Sequence, residues 1–281
     1  MTSGKQILLS TILFAAALLA VFHVLDNKGQ EYTDQAMKRA LITFGVARGL
    51  NGVISVAQGT EIAIHPAGFG VNFAPGQILD PINDLIEQFS WVMLASSASL
   101  GIQKVLLGIS SNPAVSGILV LVLAIYGVSL WKNQLFSPGL KRVLTSGMLF
   151  ILFLRFSVPV VALANEAIYH YFLHDQYVEA NEKLENTQKD ITELSRNDNK
   201  QLINDDKKSL LEQAKQFFES ASESLSVNAR IDKYQKIAAE ATEQAINLIV
   251  IFVIQTIIFP IIFLWCFYRG LRAAWSKMVS V

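Results

Sequence analysis

Four stretches of this chain, residues 6–25, 115–131, 143–164 and 245–268, are apolar over about the length a helix needs to cross the hydrocarbon core of a bilayer. Only the third contains a charge, Arg155. Lipid offers backbone N–H and C=O groups no partners, so such stretches satisfy themselves as helices. Hydrophobic residues make up 52% of the 281 and charged residues only 16%. That balance, gathered into blocks, is foreign to a soluble globular chain.

The charges decide the orientation. If the four stretches all span, the N-terminal segment, the 132–142 loop and the C-terminal tail share one side, and together they hold Lys5, Lys132, Lys141, Arg142, Arg269, Arg272 and Lys277 without an Asp or Glu. Basic residues next to spans collect on the cytoplasmic side. The opposite side receives the acidic excess, fifteen carboxylates against ten basic groups over residues 175–243. Residues 89–109 are apolar enough for a fifth span, but Ser96, Ser97, Ser99, Gln103 and Lys104 interrupt them. That composition suits an interfacial or re-entrant helix better. The first stretch also carries Ala15-Ala16-Ala17, a small-residue cleavage pattern, yet its apolar run continues through Val24 and reads as an uncleaved anchor.

Local signals place the remaining elements. Asp80-Pro81, Asn112-Pro113 and Ser137-Pro138 each set a capping side chain before a proline, which predicts helices beginning at 81, 113 and 138. Residues 33–57 carry Met37, Ala40, Leu41, Phe44 and Ala47 at helical spacing and predict an amphipathic helix. Two β-prone runs, 61–65 and 69–73, flank a Pro-Ala-Gly turn and predict a small hairpin. After Pro81, a helix would present Ile82, Leu85, Ile86, Phe89 and Met93 on one face. From Leu173 the apolar positions Leu173, Tyr177, Ala180, Leu184, Thr187, Ile191 and Leu194 alternate in steps of four and three, a coiled-coil seam. The turn-favouring run Arg196-Asn197-Asp198-Asn199 interrupts it. It resumes at Leu210, Ala214, Phe217, Ala221, Ser224, Asn228, Ile231, Gln235, Ala238, Thr242 and Ala245. An antiparallel hairpin follows, weak on its own because small and polar residues fill its second arm.

The expected fold class is therefore an all-α integral membrane protein with four transmembrane helices, five if residues 89–109 cross. It carries an extracytoplasmic antiparallel coiled-coil hairpin and a small extracytoplasmic amphipathic and β-hairpin layer. Its expected parts are an N-terminal anchor (1–25), an extracytoplasmic amphipathic and interfacial or re-entrant region (26–112), a transmembrane helical hairpin (113–166), the coiled-coil hairpin (167–243), and a last span with a basic cytoplasmic tail (244–281).

Candidate chemistry is sparse. Arg155 is costly in lipid and marks a polar contact or an ion path. Glu166 lies eleven residues away, about 16 Å along a helix, too far for a direct pair. Gln255 and Pro260 suit helix–helix hydrogen bonding and a kink. His65, Asp80, Asp84 and Glu87 match no metal or catalytic spacing, and Gly68, Gly70 and Gly76 form no phosphate loop. Cys266, alone in an apolar run, excludes an internal disulfide and reads as lipid-facing or packing filler. The basic and acidic totals of 23 each cancel, so net charge points to no nucleic-acid partner. With no carboxylate expected mid-membrane, ion-driven transport lacks its coupling group. No cofactor is expected. The sequence points to a non-enzymatic scaffold or accessory subunit that associates with itself or with other envelope membrane proteins. The competing reading is a homo-oligomeric passive pore with Arg155 near the conduction path. No Asn-x-Ser/Thr sequon occurs, which fits a bacterial inner membrane.

Overall fold

A computed structural model describes residues 3–59, 62–64, 71–73, 78–132, 136–205 and 213–279; within these, the side chains of residues 3, 5, 62–64, 71–73, 197–205, 213–230, 274 and 277–279 stand outside the description. The elements are α1 (Ser3–Phe22), α2 (Val24–Gln58), β1 (Ile62–Ile64), β2 (Val71–Phe73), α3 (Asp80–Ser110), α4 (Pro113–Trp131), α5 (Pro138–Ile168), α6 (His174–Asp205), α7 (Gln213–Val253) and α8 (Phe259–Val279). Single π-helical turns, Tyr169–Leu173 and Ile254–Ile258, join α5 to α6 and α7 to α8. The strands pair antiparallel, Ile62 opposite Phe73 and Ile64 opposite Val71. The turn expected between them lies outside the described residues.

Among the described residues, five helices are long and apolar enough to cross a membrane: Val24–Gln58, Asp80–Ser110, Pro113–Trp131, Pro138–Arg196 and Ile231–Ala273. This set differs from the sequence expectation at two places. The stretch 6–25 is not one helix, because α1 ends at Phe22 and His23 adopts φ 52°, in the left-handed region. A non-glycine residue there stops α-helical propagation, and α2 begins afresh at Val24. Residues 89–109 lie within α3, an unbroken helix of 31 residues that is long and apolar enough to cross, as the five-helix alternative has it. Its polar positions Ser99 and Lys104 have partners in other helices, as described below. The caps at Asn112 and Ser137 form as expected, accepting from Ala114 N at 2.9 Å and Leu140 N at 3.3 Å. Asp80 instead takes a hydrogen bond from Gln58 Nε2 at 2.7 Å.

The chain divides into two compact units. The first comprises residues 1–39, 96–172 and 253–281. Here α1 packs on α4, α4 on α5, and α5 on α8. Leu13 and Ala20 of α1 meet Leu119, Leu123 and Tyr126 of α4 and Met148 of α5 in one core. Gln6 Nε2 donates to Leu130 O at 3.2 Å, so α1 and α4 run antiparallel. The early part of α2 and the late part of α3 do not pack beside α1 and α4. They lie beyond the ends of those helices: a Cβ at Gly29 would meet Leu107 at 3.4 Å, Pro159 at 3.5 Å and Ala162 at 3.6 Å. The surface is inverted relative to a soluble protein. Phe14, Leu121, Phe150 and Ile261 are each more than 60% exposed, whereas Arg155 is 0% exposed.

The second unit comprises residues 40–95 and 173–252. Each of its four helices buries a ladder in steps of three and four. In α2 the ladder is Ala40, Thr43, Ala47, Leu50, Ile54 and Ala57; in the helix opening at Asp80 it is Ile82, Ile86, Phe89 and Met93. All seven positions from Leu173 to Leu194 are buried along the π-helical turn and α6, and α7 buries Tyr234, Ala238, Ala241, Ala245, Leu248 and Phe252. Such ladders pack helices in the shallow left-handed crossing of a bundle. The Thr43 hydroxyl lies 3.4 Å from Tyr177 Oη and donates to Asn181 Oδ1 at 3.3 Å, while Tyr177 meets Phe252 edge-on with centroids 6.0 Å apart.

The arms of the expected hairpin therefore do not stand alone, since α2 covers α6. On α7 the seam is turned from the expected register: Ile231 is half-buried and Gln235 exposed, because Tyr234 takes the inward position. The backbone is helical through Asp205, across the run expected to turn at 196–199. Leu210 lies outside the described residues, and of Phe217 only the helical backbone is described. In α2 half of the buried ladder is alanine, while Leu41 and Ile42 face outward.

At Gly29 the surrounding atoms leave room for a methyl group and nothing larger. Gly29→Ala should melt at or above the parent temperature, since alanine is the better helix former. Gly29→Leu should lose about 1–3 kcal/mol through overpacking. Thermal unfolding in detergent reads both, and an unchanged Gly29→Leu midpoint would contradict this packing.

Candidate functional site

Arg155 is the largest fully buried side chain among the described residues and organises the polar interior of the first unit. A guanidinium keeps its charge at any accessible pH, so burial requires a counter-charge and acceptors for its five N–H groups. Asp26, in the first turn of α2, supplies the counter-charge: Nη1 donates to Oδ1 at 2.7 Å and Nη2 pairs with Oδ2. The fork-to-fork geometry is the strong form of this pair. Nε donates to Ser116 Oγ of α4 at 3.1 Å, and Nη2 also donates to the Ala20 carbonyl of α1 at 3.2 Å. That carbonyl is free because α1 ends two residues later. His23 Nδ1 lies 3.0 Å from Asp26 Oδ2 and 3.3 Å from Arg155 Nη2, closing the cluster.

One side chain thus clasps four helices at the point where α1 gives way to α2. The partner levels, Ser116 near the start of α4 and Ala20 near the end of α1, put the charge at the helix ends rather than midway along those two helices. Electrostatically the site is closed. The carboxylate offsets the guanidinium, helix termini favour both charges, and the Asp26 side chain is 2% exposed.

A partly buried pair and an exposed pair add to it. Arg39 Nη2 meets Glu166 Oε2 at 3.0 Å, and its guanidinium lies 3.6 Å from the centre of the Tyr169 ring. Lys104 Nζ meets Asp34 Oδ1 at 2.6 Å, neutralising the lysine that had counted against residues 89–109 as a helix among helices. On the solvated face of α6, a hydrogen bond from Lys183 holds the Glu179 carboxyl below the usual carboxylate range. Such exposed pairs contribute little stability.

A second polar contact surrounds the π-helical turn Ile254–Ile258. Pro260 has no N–H to give the Thr256 carbonyl four residues back. That oxygen accepts instead from Ser99 Oγ of α3 at 3.2 Å, and the Gln255 carbonyl accepts from Asn165 Nδ2 of α5 at 3.1 Å. Gln255 is buried, so its contribution here comes from its backbone. Ser96 and Ser97 are buried as well, which makes the serine patch a helix contact. Asn165 Oδ1 is buried without a partner among the described residues.

The remaining sequence candidates are not brought together. His65 lies outside the described residues, Asp80 is held by Gln58, and Asp84 and Glu87 are not buried. Among the described residues no group of three His, Cys, Asp or Glu could hold a metal ion. Cys266 is exposed. Sequence reasoning missed Asp26 and His23, and with them the carboxylate expected to be absent from the interior. The available signal was position: Asp26 is the first acid after an apolar stretch, where a buried arginine on a neighbouring span finds its counter-charge. No protein-family model, curated protein or solved structure matches the chain.

Asp26→Ala should destabilise the protein by about 3–5 kcal/mol, because it leaves the Arg155 charge buried without its counter-charge. Adding Arg155→Met should restore most of that loss. Melting temperatures of the three proteins decide it; a double variant as unstable as the sum of its parts would contradict the clasp.

Proposed function

We propose that the chain is a non-enzymatic, multi-pass scaffold or accessory subunit of a plasma membrane, bacterial in type. It crosses four times and associates with other envelope membrane proteins through its second unit. The crossing number rests on the end-to-end arrangement in the first unit. Where α2 succeeds α1 and α3 precedes α4, two helices share one passage, so the five long helices need not be five crossings. The N-terminal segment, the 132–137 link and the C-terminal tail then gather the basic residues on the cytoplasmic side. The acidic helices 175–243 fall outside.

The observation that carries the association is a groove of about 620 Å³ between α2 and α6. Ile42, Gly45 and Val46 of α2 line it with polar and charged residues of α6, Glu185, Lys189 and Arg196 among them. An open groove that mixes apolar and charged lining suits a protein contact. The competing pore reading asks Arg155 to line a path. A side chain with no exposed surface in a single chain cannot reach the lumen of an assembly of such chains, so this burial favours the scaffold.

Native mass spectrometry of the protein, extracted gently from its own membrane, should give complexes containing other envelope membrane proteins, lost when Ile42→Glu closes the groove with a charge. A closed assembly of this chain alone, insensitive to that change, would overturn the reading.

A further inference from the structure

The outward side of α2 carries a second seam. Ile42, Gly45, Gly49, Gly52 and Val56 follow one another in steps of three and four, across the helix from the buried ladder that begins at Ala40 and Thr43. Ile42 is 45% and Val56 64% exposed. Gly49 is covered by its own chain, since a Cβ there would stand 2.9 Å from Gln188 Nε2, whereas a Cβ at Gly45 or Gly52 would meet nothing within 4 Å. The seam thus bares backbone at two points two turns apart, and at Gly45 it opens into the groove between α2 and α6.

Charge shows what this side of the unit lacks. Arg48, beside the seam, is exposed and has no acidic partner among the described residues, and Glu185, on the α6 wall of the groove, is exposed and has no basic one. Thr43 donates to Asn181 and Gly49 faces Gln188, so six residues of α2 keep pace with seven of α6 and the two helices run parallel. That register sets Arg48 level with residue 187, about 3 Å along the axis from Glu185 at 1.5 Å per residue. The two are at one height on different sides of α2: Thr43 and Gly49, which meet α6, each lie about 100° or more round the helix from Arg48.

We infer that the groove is filled by α2 of a second copy of this chain, the two α2 helices meeting along Gly45 and Gly52. A two-fold axis parallel to the helices keeps every residue at its own height, so Arg48 of each copy comes to Glu185 of the other and one contact generates its equivalent. The bare glycine backbones let the helices approach closely, with Ile42 and Val46 packed about them. This inference rests on the reading of the groove as a protein contact and names its occupant. The pair, rather than the single chain, then offers the second unit to other envelope proteins.

The test counts copies of the full-length protein by native mass spectrometry across a dilution series in mild detergent. The parent protein should be paired. Arg48→Glu and Glu185→Arg should each weaken the pair about tenfold by setting like charges opposite one another, and Arg48→Glu/Glu185→Arg should restore it. Gly45→Leu should abolish pairing while leaving helicity unchanged, because nothing in the chain stands within 4 Å of the new Cβ. A parent protein that stays single at every concentration, or single variants that the double one does not rescue, would overturn the proposal. No pair in the parent, with complexes of other envelope proteins lost in Ile42→Glu, would overturn it and leave the groove a protein contact. A pair insensitive to both Ile42→Glu and Gly45→Leu would overturn the reading of the groove as well.

Discussion

The pairing of Arg155 with Asp26 is the constraint around which the first unit is arranged. An arginine enclosed among apolar helices must be given a carboxylate and several acceptors, and each of these comes from a different helix. The carboxylate can arrive only if α1 stops and α2 starts nearby, which the left-handed His23 brings about. The same break frees the Ala20 carbonyl. The polar cluster and the break between α1 and α2 are therefore one feature. Removing the charge would remove the reason for the break.

Around this clasp the distribution of polarity is the reverse of that in a water-soluble bundle. Apolar side chains point outward, and hydroxyls, amides and the ion pair point inward. Within a membrane the drive to bury leucine against leucine is weak, so polar contacts and close packing hold helices together. The serine and asparagine contacts to the carbonyls at Gln255 and Thr256 belong to the same logic, with Pro260 releasing one of the acceptors. The second unit also packs by regular apolar ladders, and it too exposes large apolar side chains, among them Val56, Trp91 and Val250.

Much of the fold was legible because it rests on signals local in the sequence. The first-arm seam residues Leu173, Tyr177, Leu184, Ile191 and Leu194 announce themselves by spacing, and the helix starts at Pro113 and Pro138 by their caps. What escaped depends on partners distant in sequence. The alanine ladder of α2 is inconspicuous beside Met37, Leu41 and Phe44, yet alanines let helices approach closely and so take the inside. Ser99 of α3 reads as an interruption because the Thr256 carbonyl that accepts from it lies 157 residues away. On α7 the seam was placed one step off because small residues fit either face and only Tyr234 decides. Arg155 was conspicuous, whereas Asp26, at the edge of an apolar stretch, looked like an ordinary boundary acid.

The proposed topology turns on stacked rather than side-by-side passage of α1 with α2 and of α3 with α4, which would make four crossings. The direct measurement is sided thiol labelling in intact and opened cells, in a Cys266→Ser background, with single cysteines at Gly4, Asn133, Asn197 and Ser276. The account predicts that Gly4→Cys, Asn133→Cys and Ser276→Cys react only after opening, and that Asn197→Cys reacts in intact cells. Labelling of Gly4→Cys and Ser276→Cys from opposite sides would mean an odd number of crossings and would contradict it.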